Sequence, residues 1–180
     1  MKPFVVRAAF AALCGLALSG CIDSAGPILT DAKPELGPHV NLQLYALREG
    51  HAFDPERARF TWNGKLYVHS AGGLKDVTGF TVHPFEGGDY IIQSSPVRHP
   101  QIAEYALMRK LAEGVYQVIA IDEDDADAAT SAADCKHPDG TACRIDTREQ
   151  LYTFARATAA KRKNAGGLAI RLRDDAPRRP

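Results

Sequence analysis

One pattern restricts this chain more than any other: a strand-like run, a glycine-bearing turn, and then a tyrosine beside aliphatic residues. It occurs three times. The first copy surrounds Asn63-Gly64 within residues 59–68. An Asn-Gly pair between apolar residues is the strongest short hairpin signal, because a two-residue type I′ turn needs positive φ at both positions. Such a turn sets Phe60 opposite Tyr67 and Trp62 opposite Lys65. The second copy, 77–85 and 89–93, flanks Glu86-Gly87-Gly88, and the third, 102–111 and 115–121, flanks Ala112-Glu113-Gly114. The tyrosines Tyr67, Tyr90 and Tyr116 are spaced by 23 and 26 residues. A lone hairpin is at best marginal in water, so three in succession imply one antiparallel sheet of stacked hairpins. The expected fold is therefore mainly β, an antiparallel meander forming a curved sheet or a small barrel.

Residues 102–111 test that reading, because Ala, Glu, Leu, Met, Arg and Lys are good helix formers placed after Pro100 and before Gly114. Against a helix, Ala103, Tyr105, Leu107 and Leu111 alternate with polar or flexible residues, and a strand completes the third hairpin. We expect the strand. An earlier strand is expected over 41–48 and a last one over 168–173, where Leu168, Ile170 and Leu172 alternate with Ala169, Arg171 and Arg173. One α-helix is expected near the C-terminus. Asp146 and Glu149 resemble a capping box ahead of Leu151, Phe154, Ala155, Thr158 and Ala159, a helical stripe ending near Asn164 and Gly166-Gly167. The composition suits one globular body: 45% hydrophobic and 24% charged residues over 180 positions exclude disorder and a multi-pass membrane protein. Its 22 basic and 22 acidic residues give no overall attraction to nucleic acid.

The first 20 residues are read as a targeting segment. Lys2 and Arg7 precede an apolar run from Ala8 to Leu18, which is too short to span a bilayer. The run ends in Leu18-Ser19-Gly20-Cys21, which resembles the lipobox of bacterial lipoproteins at all four positions. That resemblance implies a diacylglyceryl group on the Cys21 thiol, cleavage after Gly20, and acylation of the new amino group, with palmitate a typical chain. Three chains at about 0.8 kcal/mol per buried methylene hold a protein to a membrane durably. In Gram-negative lipoproteins an Asp directly after the lipidated Cys favours inner-membrane retention. Here that position is Ile22, which implies the outer membrane, facing the periplasm. Without residues 1–20 the chain has 160 residues and a net charge of −2. Residues 21–38 carry Gly26, Pro27, Pro34, Gly37 and Pro38 without apolar period, so they read as the lipidated Cys and a flexible tether. One β-rich domain is expected over 39–173 and a disordered tail over 174–180.

With Cys14 in the leader and Cys21 given to lipid, Cys135 and Cys143 remain, and an export compartment favours their pairing as a disulfide. Pro138-Asp139-Gly140 between them suits a tight turn. So short a loop contributes roughly 2.5 kcal/mol by chain entropy. The rival is a metal site using both thiols and His137, although seven intervening residues is poor zinc spacing.

Charge is segregated locally: residues 122–139 hold seven acids and one base, and 156–180 hold eight bases and two acids. Asp122-Glu123-Asp124-Asp125-Ala126-Asp127 lacks the Gly and Glu of a calcium-binding EF-hand loop and reads as a solvated acidic loop. The basic end, with Lys161, Arg162 and Lys163, reads as an exposed helix face with a frayed tail, with acidic lipid, lipopolysaccharide phosphates or the acidic loop as its alternatives. No serine-hydrolase elbow, zinc-protease helix or phosphate loop occurs. The histidines are scattered; His69, His83 and His99 would form a metal site only if the sheet brought them together, and surface or locally bonded histidines are expected instead. We expect no catalysis, no cofactor and no metal. Ser70-Ala71-Gly72-Gly73-Leu74-Lys75 resembles the Ser and Lys loop of periplasmic lysozyme-inhibiting lipoproteins, without that family's second motif. It implies Ser70 and Lys75 as a binding pair. The rest of the body is similar to small proteobacterial lipoproteins, a likeness that implies no activity. The resulting expectation is a lipid-anchored binding or scaffolding module of the cell envelope, with the membrane and an envelope protein as partners. A hydrolase inhibitor or an envelope enzyme is the alternative.

Overall fold

The fold is described from a computed structural model over residues 22–48, 51–52, 55–69, 77–96, 101–136, 143–161 and 167–172. Among these residues eleven strands form: β1 (Ile22–Ser24), β2 (His39–Arg48), β3 (His51–Ala52), β4 (Glu56–Trp62), β5 (Tyr67–His69) and β6 (Val77–Pro84), then β7 (Tyr90–Pro96), β8 (Ala103–Ala112), β9 (Val115–Ala120), β10 (Cys143–Arg144) and β11 (Gly167–Leu172). Among the described residues two α-helices join them, α1 (Ala128–Asp134) and α2 (Arg148–Lys161), with one-turn 3-10 helices at Glu86–Gly88 and Glu123–Asp125. Strands β2, β4, β5, β6, β7, β8 and β9 each pair antiparallel with the next, and β11 pairs with both β9 and β2. The eight strands thus close into an up-and-down barrel, which removes the edges an open sheet leaves unpaired.

The second and third hairpins lie where the glycine turns were expected. Gly87 and Gly88 take φ of 67° and 85° between β6 and β7, and Gly114 takes 72° between β8 and β9, a left-handed region open to glycine at little cost. Residues 103–112 are a strand. The first hairpin differs in register: Trp62 faces Tyr67 and Phe60 faces His69, so the connection is the four residues 63–66. Two contacts explain the wider loop. Asn63 Oδ1 accepts the amides of Lys65 and Leu66, each at 3.0 Å. Leu66 lies against Gly79 of β6, where a Cβ would come within 2.0 Å of its Cδ1 and 2.6 Å of the Tyr67 carbonyl oxygen.

Period-two alternation divides the barrel wall. Val40, Leu42 and Leu44 of β2, Ala58 and Phe60 of β4, Tyr67, Phe80, Val82, Met108, Tyr116, Val118 and Ala169 fill the lumen. On the outside of β7, β8 and β9 a second cluster forms from Ile91, Ala103, Tyr105, Leu107 and Ile119, covered by Leu151, Phe154 and Ala155 of α2. The opposite outer wall carries Asn41, Gln43 and the exposed Arg57 and Arg59. An apolar lumen with a polar or helix-covered exterior is the reverse of the pattern in transmembrane β-barrels. Among the described residues no helix is long and apolar enough to cross a membrane. In β11 it is Ala169 that enters the lumen, while Leu168, Ile170 and Leu172 are half-exposed. Ala169 lies opposite Leu44 and Tyr116, bulky neighbours that leave room for a small side chain.

Three further expectations need correction. Residues 22–38 are not a free tether, because Ile22, Leu29 and Leu36 are each no more than 2% exposed; they form an arm packed on the barrel. The acidic segment is not simply solvated, since it folds into the 3-10 turn and α1, and Asp125 is buried. The cap of α2 is shifted by one residue: Thr147 Oγ1 accepts the Gln150 amide, and Gln150 Oε1 accepts the amides of Thr147 and Asp146, a reciprocal capping box.

Candidate functional site at the start of the arm

Cys21, Ser70 and Lys75 lie outside the described residues, as do His99 and His137. The residues that follow Cys21 are described, and they are held on both sides. Strand β1 runs parallel to β10, with Ile22 beside Cys143 and Asp23 beside Arg144, and antiparallel to β8, with Asp23 opposite Glu104. The Ile22 amide donates to the Ile121 carbonyl at 3.3 Å, and the Ile145 amide donates to the Asp23 carbonyl at 2.9 Å. The Arg144 guanidinium donates through Nε and Nη2 to the two carboxylate oxygens of Asp23, at 2.8 and 3.2 Å. A bidentate, largely buried pair of this kind fixes direction as well as distance.

Beyond β1 the arm has no regular strand partner, and buried side chains satisfy its backbone instead. Tyr105 shares a 2.6 Å hydrogen bond with Ser24 and accepts the Ile28 amide at 3.4 Å. Burial pushes the Tyr105 hydroxyl above its ordinary range, with the Ser24 contact opposing, so it stays protonated and available to donate. Gln93 imitates a strand: its Oε1 accepts the Leu29 amide at 2.9 Å and its Nε2 donates to the Leu29 carbonyl at 3.0 Å. Tyr67, also pushed up by burial, accepts the Leu36 amide and donates to the Gly37 carbonyl, both at 2.9 Å. Leu36 itself belongs to the lumen cluster. The arm therefore begins between β8 and β10 and ends with Leu36 packed in the lumen cluster.

Next to β1, Cys135 at the C-terminal cap of α1 and Cys143 in β10 stand at disulfide distance, with Cα atoms 5.1 Å apart. Cys143 is fully buried. Glu123 Oε2 lies 3.0 Å from Cys135 Sγ. Among the described residues, Glu123, Cys135 and Cys143 are the one group of three ligand-bearing side chains close enough to share a metal ion; Glu123 was not visible as a neighbour in the sequence, being 12 residues from Cys135. His69 and His83 do not meet. His69 packs edge-on against Phe60 at 5.4 Å, and His83 bonds Thr81 at 2.8 Å. Burial, then Arg148, lowers the His83 pKa, with Asp31 opposing.

A surface cleft of about 510 Å³ opens between residues 24–28 of the arm and residues 145–148 at the start of α2. Arg148 on its rim lies 3.6 Å from Asp31. The basic end of α2 meets the acidic segment: Thr158 Oγ1 donates to Asp125 at 2.8 Å, and Lys161 bonds the Asp124 carbonyl. Of the fates expected for that charge, contact with the acidic segment describes Lys161. Compared with known proteins, the chain matches no protein-family model, no curated protein and no solved structure.

Proposed function

We propose that this protein is a lipid-anchored module of the bacterial cell envelope, attached through Cys21 and acting by binding or scaffolding rather than catalysis. The Leu18-Ser19-Gly20-Cys21 sequence after a basic and apolar leader carries the reading. Two structural features support it. The apolar lumen and polar outer wall suit a body attached to a membrane by lipid, not threaded through it. Cys135 and Cys143, at disulfide distance, suit an oxidising compartment such as the periplasm. Ile22, in place of Asp, in the position after Cys21 supports sorting to the outer membrane, facing the periplasm.

Metabolic labelling with radioactive palmitate tests the anchor. Label is expected in the wild type and none in Cys21→Ser; an unlabelled wild type overturns the reading. Mass spectrometry of periplasmic material without reductant is expected to find Cys135 joined to Cys143, and two free thiols or bound zinc would refute the disulfide. Crosslinking in cells followed by identification of the captured partner tests the binding role.

A further inference from the structure

We infer that the folded domain has no spacer between itself and the membrane: the sheet starts at the residue after the lipid-bearing one, so the β1–β10 flank lies against the bilayer surface. The inference rests on the lipid anchor at Cys21 and deepens it by naming the docked face and its partner, a phospholipid surface. A free segment of the 17 residues 22–38 would let the barrel stand off by about 23 Å on average, and up to about 58 Å when extended. The arm withdraws that reach. Ile22 is 1% exposed and Asp23 is 9% exposed, and the Cα of residue 21 can lie only about 3.8 Å from that of Ile22.

Releasing the arm would break the Ile22 to Ile121 bond, the Ile145 to Asp23 bond and both Arg144 to Asp23 bonds together. It would also strip β10 of its strand partner, and β10 carries Cys143, which stands at disulfide distance from Cys135. Ile22, the residue that joins the domain to Cys21, is therefore fixed beside Ile121 and Cys143. Exposed groups on the segments that flank that point are Asp124, in the 3-10 turn that follows Ile121, and Lys136, joined to Arg144 by two backbone hydrogen bonds. The turn between β8 and β9, with exposed Lys110 and Glu113, sits at the far end of β8 from β1.

The test uses the full lipidated protein in vesicles of phosphatidylethanolamine and phosphatidylglycerol, beside a lipidated variant with a Gly/Ser spacer of about twelve residues inserted between Cys21 and Ile22. Lysines are acetylated and carboxylates coupled to an amine, and each site is quantified by mass spectrometry. In the wild type, Lys136 and Asp124 should react roughly threefold or more slowly than in the spacer variant, because headgroups covering that flank keep reagent from both side chains whatever their charge. Lys110 and Glu113 should react equally in both. Neutron reflectometry of the wild type alone, which needs no variant to fold, should find protein density beginning at the headgroups with no water layer beneath it. Equal labelling at Lys136 and Asp124, or a water gap of about 20 Å or more, overturns the inference. Intact mass separates the causes: a wild type without lipid overturns the anchor reading, whereas a lipidated wild type with an unshielded flank overturns the docked face alone.

Discussion

Inside the barrel Phe60, Tyr67 and Phe80 pack ring against ring, with Phe80 4.9 Å from Phe60 and 5.1 Å from Tyr67; outside, the arm is held by single polar groups from Gln93, Tyr105 and Arg144. The lumen spreads its stabilisation over many interchangeable apolar contacts. The arm buries Ile22, Leu29 and Leu36 but has its backbone held by a few directional bonds, and directional bonds fail one at a time. Helix α2 belongs to both regimes, burying Leu151, Phe154, Ala155 and Thr158 while Arg109 donates to its Ala159 carbonyl at 2.8 Å.

The largest separation of the layers should come from Phe154→Ala. Phe154 is fully buried in the outer cluster, and truncating a buried Phe costs about 3–5 kcal/mol. Urea unfolding of a chain begun at residue 22 measures the loss. Amide exchange should rise in α2 and the arm while the β2–β4 ladder remains protected. Equal loosening of both would make lumen and outer layer one cooperative unit.

Gly79→Ala attacks the lumen wall. The new Cβ would fall 2.6 Å from the Tyr67 carbonyl oxygen, a backbone atom that cannot rotate away, and overpacking of this kind costs about 3 kcal/mol. Here exchange should rise in β5 and β6 first. A variant as stable as the wild type would show that Leu66 does not rest on Gly79.

The arm has its own probe in Gln93→Ala, which removes both partners of the Leu29 backbone. Stranding two buried polar groups should cost about 2 kcal/mol. Amide exchange at Leu29 should quicken far more than at Val82 or Leu107, and uniform quickening would contradict an independently held arm.

The barrel wall was legible in the sequence because its signal is periodic: in β8, Ala103, Tyr105 and Leu107 on the outer face alternate with Ala106 and Met108 on the lumen side, and that alternation outweighs a helix-forming composition. Glycine turns marked the hairpins for the same local reason. The arm was not legible. Leu29 and Leu36 are isolated apolar residues among prolines and glycines, and the groups that hold them, Gln93 and Tyr67, are 64 and 31 residues away. Glu123 beside Cys135 and the Asp23–Arg144 pair, 121 residues apart, escaped for that reason also. Long-range polar contacts leave no period to read.

His83 gives the outer layer a pH dependence. Burial and the nearby Arg148 hold its folded pKa below the ordinary 6.5, with Asp31 opposing. A His that prefers to be neutral when folded contributes its full share above 6.5, and that share is lost as pH falls through its folded value. Stability should therefore decline below about pH 6.5, and His83→Gln should flatten that part of the profile. An unchanged slope would assign the decline to other groups.

The smallest effect lies in the loop 63–66, where two origins of turn stability can be told apart. Gly64 has φ of 97° and open space around its missing Cβ, so Gly64→Ala should cost about 1 kcal/mol through backbone conformation alone. Asn63 acts through its side chain, which accepts two loop amides. Were the loop a two-residue type I′ turn, Asn63→Gly would be harmless, because both positions would ask only for positive φ. In the four-residue loop Asn63→Gly should also cost about 1 kcal/mol, and Asn63→Asp, which keeps the acceptor, much less. Thermal melts of the three variants decide the matter. An Asn63→Gly protein melting with the wild type would show that backbone conformation, and not the carboxamide, sets the register of Trp62 against Tyr67.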